Sequence, residues 1–208
     1  MNNKKIKEIL EWVFCILIAI IIALLIRYYI GTPTVVQQFS MFPTLQQNDR
    51  LLLSHLVRTF NEMPERGEII TFEAPSNTKT GAKSEKAEYS EEPSTIFQKF
   101  MYNVLEIGKQ NYIKRVVALP GEHVEIKDGA IYINDEKLKE NYLKEGVITE
   151  AKSTYLEDFI VPEGYIFALG DNRKGSVDCR YFGCIPMSKV EGTVILRFWP
   201  LDKFGKVI

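Results

Sequence analysis

The longest charge-free apolar run in the chain is WVFCILIAIIIALLI, from Trp12 to Ile26. As a helix it rises about 22 Å, short of a hydrocarbon core of about 30 Å. Extended from Ile9 to Ile30 it takes in Glu11 and Arg27 near its ends, where long side chains snorkel, and it then rises about 33 Å. The pattern predicts one transmembrane helix over residues 9–30. Lys4, Lys5 and Lys7 stand before it, and positive residues stay on the cytoplasmic side. Residues 1–8 are therefore expected to be a cytoplasmic tail and residues 31–208 an extracytoplasmic domain. A cleaved signal peptide is disfavoured, because RYYIGTPT offers no pair of small residues around a cleavable bond.

Beyond Gly31 the periodicity changes. TPTVVQQFSM, RLLLSHLV, EIITFEAP, YIKRVVALPGE, VEIKDGAIYIND, GYIFALGD and GTVILRFWP are β-branched or aromatic runs bounded by turn residues. The fold class expected is mainly β, with the single N-terminal helix appended. Asp128-Gly129 suits a type I′ turn between Val124–Lys127 and Ala130–Ile133, and Asn134-Asp135 offers a second turn.

Residues 73–109 interrupt the strands. From Glu73 to Glu92 the residues are mostly Ser, Thr, Lys, Glu and Ala, a composition that builds little core and predicts an exposed loop. Ile96, Phe97, Phe100, Met101, Val104 and Leu105 then recur at helical spacing, with Ser94 or Thr95 available as a cap. Packing of this short amphipathic helix on the sheet is the expected role, ahead of lying on a lipid surface.

Composition narrows the chemistry. The 208 residues are 46% apolar, enough for one domain and an appendage. Lys and Arg total 26 against 27 Asp and Glu, so no electrostatic feature points to nucleic acid. Only two histidines occur, His55 and His123, and the three cysteines lie at 15, 179 and 184, so no metal-ligand spacing is present and no metal site is expected. Cys179 and Cys184 are left as either a disulfide or two free thiols.

One hydroxyl, Ser40, sits in QQFSMFPTL just past the apolar segment. A serine needs a base to take its proton and donors to hold the oxyanion that follows. Neither histidine has the flanks of an oriented catalytic imidazole. A lysine can serve if burial lowers its pKa from near 10.4 toward about 7 to 8. In YIKRVVALPGE, strand alternation puts Tyr112, Lys114, Val116 and Ala118 on one face, which sets the Lys114 ammonium among apolar neighbours. The competing reading of Lys114 is an edge-strand lysine that guards against aggregation. A third cluster, GDNRKGSVDCRYFG, supplies Ser176 as a partner for the neutral Lys114 amine. It also supplies Asp178 and Arg180, two apart on one strand face, as a bracing pair.

At these residues the chain resembles the type I signal peptidases, membrane-bound serine proteases that remove signal peptides from exported proteins. The anchor, SMFPTL with Asp49, RGEIITFEAP, YIKRVVALPGE and GDNRKGSVDCR carry the resemblance in order along nearly the whole chain. It implies a signal-peptidase-like β-rich catalytic domain, with Ser40 as nucleophile, Lys114 as general base, Ser176 orienting the lysine and Asp178–Arg180 as supporting ion pair. The second oxyanion donor of that family comes from the residue two before the nucleophile, usually serine or glycine; here it is Gln38. Asn48 stands where the family often has glycine, and Cys179 where it usually has serine. The single anchor resembles the Gram-positive form.

The implied substrates are exported preproteins with Ala-X-Ala-like sites, met at a lipid bilayer of the cell membrane without any cofactor. Phe39, Met41 and Phe42 either extend an apolar surface to lipid or fill the core. A self-cleaving regulator with a similar dyad would carry a DNA-binding module in place of the membrane span. A non-catalytic anchored β-domain that binds exported chains is the alternative from a different class.

Overall fold

A computed structural model describes residues 3–91 and 93–207. Helix α1, Asn3–Tyr29, contains the predicted span, and its most apolar stretch is not buried against the rest of the protein. The helix begins earlier than the apolar pattern, so the part of the expected tail from residue 3 onward is helical; residues 1–2 lie outside the described residues.

Among the described residues, eleven strands form two antiparallel sheets. They are β1 Gly31–Val35, β2 Arg50–Ser54, β3 Ile69–Glu73, β4 Asn111–Ala118, β5 His123–Lys127, β6 Ala130–Ile133, β7 Glu136–Lys137, β8 Asp158–Ile160, β9 Tyr165–Leu169, β10 Ile185–Pro186 and β11 Val190–Trp199. Among the described residues there are also three short α-helices, α2 Leu56–Phe60, α3 Ile96–Asn103 and α4 Cys179–Phe182, and four single 3-10 turns. The larger sheet has the order β1-β2-β11-β3-β4-β9-β10, and the smaller β7-β6-β5-β8. In the smaller sheet both expected hairpins form. Asp128 and Gly129 have φ of 53° and 74°, and Asn134 and Asp135 have 51° and 67°, the paired left-handed residues that a type I′ turn requires.

Three segments depart from the strand pattern. TPTVVQQFSM is strand only to Val35, after which the chain turns. RLLLSHLV ends as a strand at Ser54 and continues as α2, because the His55 N–H donates to Ile30 O and its carbonyl accepts from Thr59 N, which folds the chain under the end of α1. Asp178 and Arg180 do not share a strand face: Asp178 caps α4 through its carboxylate, and Arg180 lies within that helix. Asn48 has φ 71°, a left-handed position that asparagine tolerates better than most residues, which accounts for a glycine preference there.

The main core lies between the sheets, where Val116, Val117 and Ala118 of β4 and Ile166, Phe167 and Leu169 of β9 meet Val124, Ile126, Ile131 and Phe159 of the smaller sheet. A second cluster of Val36, Met41, Leu45, Leu51 and Ile69 sits beneath the turn that follows β1. The expected packing of α3 on the sheet is not observed. Thr95 caps it in a reciprocal box with Gln98, yet none of its residues is buried.

Candidate active site

Ser40 opens a turn whose shape is set by burial on one side and polar clamping on the other. Met41 and Leu45 are fully buried in the second core cluster, while Phe39 and Phe42 stay exposed, so the apolar residues flanking Ser40 divide between core and surface. Leu45 N closes back on Met41 O, and Asp49 accepts from Gln46 N and pairs with Arg197 at 3.0 Å, which fixes the end of the turn. Ser40 itself is 7% exposed, enough to be reached but largely shielded.

Lys114 approaches from the sheet. Strand β4 lies between β3 and β9, so Lys114 is not on an edge, and the aggregation-guard reading falls. Its side chain is buried, with Nζ 2.9 Å from Ser40 Oγ, 3.0 Å from Ile113 O and 5.1 Å from the centre of the Tyr112 ring. Loss of hydration pulls its pKa from 10.5 down to about 8, against the pull of the Asp178 and Asp171 carboxylates, which favour the ammonium. Two groups that lie 74 positions apart in sequence thus meet at hydrogen-bond distance.

The segment after β9 holds this pair together. Asn172 donates from its main chain to Ser40 O at 3.0 Å and from its side chain to Phe39 O at 3.2 Å. Asp171 is gripped by Arg115, the residue after Lys114, at 3.0 and 2.8 Å, and the Arg115 guanidinium lies over the Tyr142 ring. Gly170 admits no side chain: a Cβ there would sit 2.2 Å from Ser176 Oγ and 2.4 Å from Ser40 O. Ser176 and the Ser40 carbonyl therefore both crowd the Gly170 Cα. The expected hydrogen bond from Ser176 to Lys114 is not formed, since the amine bonds Ile113 O instead. The Ser176 hydroxyl stands near enough to the Asp178 carboxylate to favour its charge, without a partner at full hydrogen-bonding geometry.

Asp178 and Arg180 form the expected pair at 2.9 and 2.8 Å, both buried. Burial alone would raise the Asp178 pKa, but the Arg180 guanidinium and the Gly170 N–H hold it below the usual carboxylate value. Arg180 also donates to Arg173 O at 2.8 Å, so the pair ties both ends of the loop. Cys179 and Cys184 are free, buried thiols, and Cys179 Sγ accepts from Ala168 N.

Gln38 is exposed and lines a cleft of about 840 Å³. Its lining includes Thr34 to Gln38, Asn111 to Ile113 and Ala23, Ile26 and Arg27 of α1, and stops at Gln38 and Ile113, next to but short of Ser40 and Lys114. Sequence reasoning named Ser40, Lys114, Ser176, Asp178 and Arg180; in the structure Ser40, Ser176 and Asp178 meet Gly170, Lys114 reaches Ser40, and Arg180 pairs with Asp178. It missed Arg115, Gly170, Asp171 and Asn172. The signal for the last three was the turn-forming GDN after an apolar strand, which says nothing about what the turn touches, and Arg115 was simply the residue next to Lys114.

A family described as signal peptidase, peptidase S26, matches residues 9–199. The chain is 35% identical over 212 residues to signal peptidase I of Bacillus licheniformis, with 99% of this chain and 96% of that protein covered. It is 32% identical over 192 residues to a probable signal peptidase I-1 of Synechocystis, with 92% of this chain and 83% of that protein covered. A crystal structure of a signal peptidase I from Enterococcus faecalis is 33% identical, with a TM-score of 0.41, covering 64% of this chain and 97% of that one.

Proposed function

The chain belongs to the signal peptidase family, peptidase S26, and from that membership we propose a mechanism in which Ser40 is the nucleophile and Lys114 its general base. The enzyme is a serine endopeptidase that removes signal peptides from exported preproteins. The observation that carries the assignment is the 2.9 Å approach of Lys114 Nζ to Ser40 Oγ inside a buried setting.

An extended preprotein segment lies in the cleft between the stretch after β1 and the start of β4, with main-chain hydrogen bonds setting its register. Shallow recesses admit small side chains at the first and third positions before the cut, an Ala-X-Ala-like preference. With Lys114 neutral, the Ser40 hydroxyl donates to the amine, and Oγ attacks the scissile carbonyl as the proton moves to Nζ. The main-chain N–H of Ser40 and a donor from Gln38 hold the oxyanion. The Lys114 ammonium then protonates the leaving amine, and the mature protein departs. Water gives its proton to Lys114 and attacks the acyl ester, which frees the signal peptide and restores Ser40. Ser176, Asp178 and Arg180 position the loop that supports Ser40.

Apolar α1 anchors the protein in a membrane. Lys4, Lys5 and Lys7 before the span support an orientation with the N-terminus in the cytoplasm and the catalytic domain on the outer face of the cell membrane. Cleavage of a synthetic preprotein by wild type, Ser40→Ala and Lys114→Ala tests the assignment. Both variants are expected to lose turnover while they retain the fold, and equal activity in all three would discard the Ser40–Lys114 assignment.

A further inference from the structure

Helix α3 leaves much of its apolar side uncovered. At 100° per residue, Ile96, Phe97, Phe100, Met101 and Val104 fall within an arc of about 140°, and Gln98, Lys99, Tyr102 and Asn103 take the rest. A helix of a water-soluble domain presses such an apolar arc onto its core. Here Tyr102 of the polar side ties the helix to the domain: its Oη donates to Glu73 Oε1 at 2.9 Å, and the Lys109 ammonium lies over its ring. Ile96, Phe97 and Phe100 of the apolar side face outward, at 88%, 71% and 41% exposed, while Met101 and Val104 are half-buried. The capping box of Thr95 and Gln98 gives the helix a defined start, so the exposure belongs to an ordered element.

What faces that surface follows from where α3 is tied. Glu106, just past α3, pairs with Arg27 in the last turn of α1 at 3.1 Å. The neighbouring Tyr28 and Tyr29 carbonyls accept from Arg58 and Thr59 of α2, whose Leu56 and Phe60 are also exposed. Arg27 to Tyr29 span only about 3 Å along the helix axis, so both attachments lie at one level, where the anchor leaves the bilayer. Paired tyrosines and an arginine at that level are the usual residues of a membrane–water boundary.

We propose that α3, with Leu56 and Phe60 of α2, seats its apolar side in the lipid surface around the exit of the anchor. This second attachment holds the mouth of the cleft, where Glu106 and Lys109 stand, against the bilayer. The proposal rests on α1 spanning a membrane and not on the roles given to Ser40 and Lys114.

The full chain carrying Phe97→Trp, reconstituted in phosphatidylcholine–phosphatidylglycerol vesicles and compared with its parent, reads the contact without turnover. The new indole is expected to be quenched by lipids bearing a nitroxide near the head group and shielded from aqueous iodide. Free access of iodide with no lipid quenching overturns the proposal, as does shielding that appears only at high protein-to-lipid ratio, the signature of a second copy. The variant I96S/F97S/F100S is expected to cleave a vesicle-embedded preprotein several-fold more slowly and a soluble peptide at the parental rate. An unchanged rate on the embedded substrate overturns the claim that α3 holds the cleft at the surface.

Discussion

Lys114 is the residue whose physical state decides most. Its burial holds the pKa at about 8, so the neutral amine that the proposed mechanism needs is a minority form at pH 7 and dominant above pH 9. The cleavage rate is expected to climb about tenfold per pH unit below that value and then level off. A stopped assay on a soluble peptide across the range measures this, and a flat profile would remove the lysine as base. The same shift has a cost in stability. Between about pH 8 and 10.5 the unfolded chain holds a proton that the folded chain has released, so stability rises with pH across that window, and below it the penalty is complete. The shift from 10.5 to about 8 corresponds to about 3 kcal/mol. Lys114→Met is therefore expected to raise the urea midpoint at pH 7 while abolishing turnover, with the stabilisation gone above pH 10.5. Ser40 and Lys114 were both legible in the sequence, because each is a polar residue in an apolar run. Gly170 was not, since its role lies in the atoms of Ser40 and Ser176 that crowd it.

At the scale of elements, the loop from Gly170 to α4 acts as a clamp. It carries no catalytic group in the proposed mechanism, yet Asn172 holds the Ser40 turn by two hydrogen bonds, and Asp178 joins the start of the loop to Arg180. Asp178→Asn would leave the Arg180 guanidinium buried without its counter-charge. The expected destabilisation is about 3 to 5 kcal/mol in denaturant unfolding, with cleavage falling as the Ser40 turn loosens. The sequence made the Asp178–Arg180 pair visible but put it on a strand. Two residues at spacing two fit a strand face as well as a cap and the second residue of a short helix, and only tertiary contacts choose between them. Helix α3 shows a related limit: its periodicity and its Thr95 cap were readable, whereas the direction its apolar arc faces was not, because a helical pattern names two sides and not what stands beside each.

For the whole molecule, the core binds the two sheets into one unit. Val116 to Ala118 and Phe167 from the larger sheet interleave with Val124, Ile126 and Ile131 from the smaller, so the smaller sheet shares its core with the larger. A single cooperative urea transition is expected. Far-ultraviolet circular dichroism and the fluorescence of Trp199, read in a Trp12→Phe background, should coincide, and separated midpoints would show independent folding. The β-rich class and both hairpins followed from local pattern. The order of the larger sheet did not: β11 inserts between β2 and β3, a pairing of segments more than 100 positions apart for β3 that no turn dipeptide announces. Because Ala23, Ile26 and Arg27 line the cleft, a fragment trimmed of its anchor for ease of handling presents an incomplete groove. Inhibitors selected on such a fragment would be optimised for a shape the intact enzyme does not offer, and those that exploit the missing wall would be overlooked.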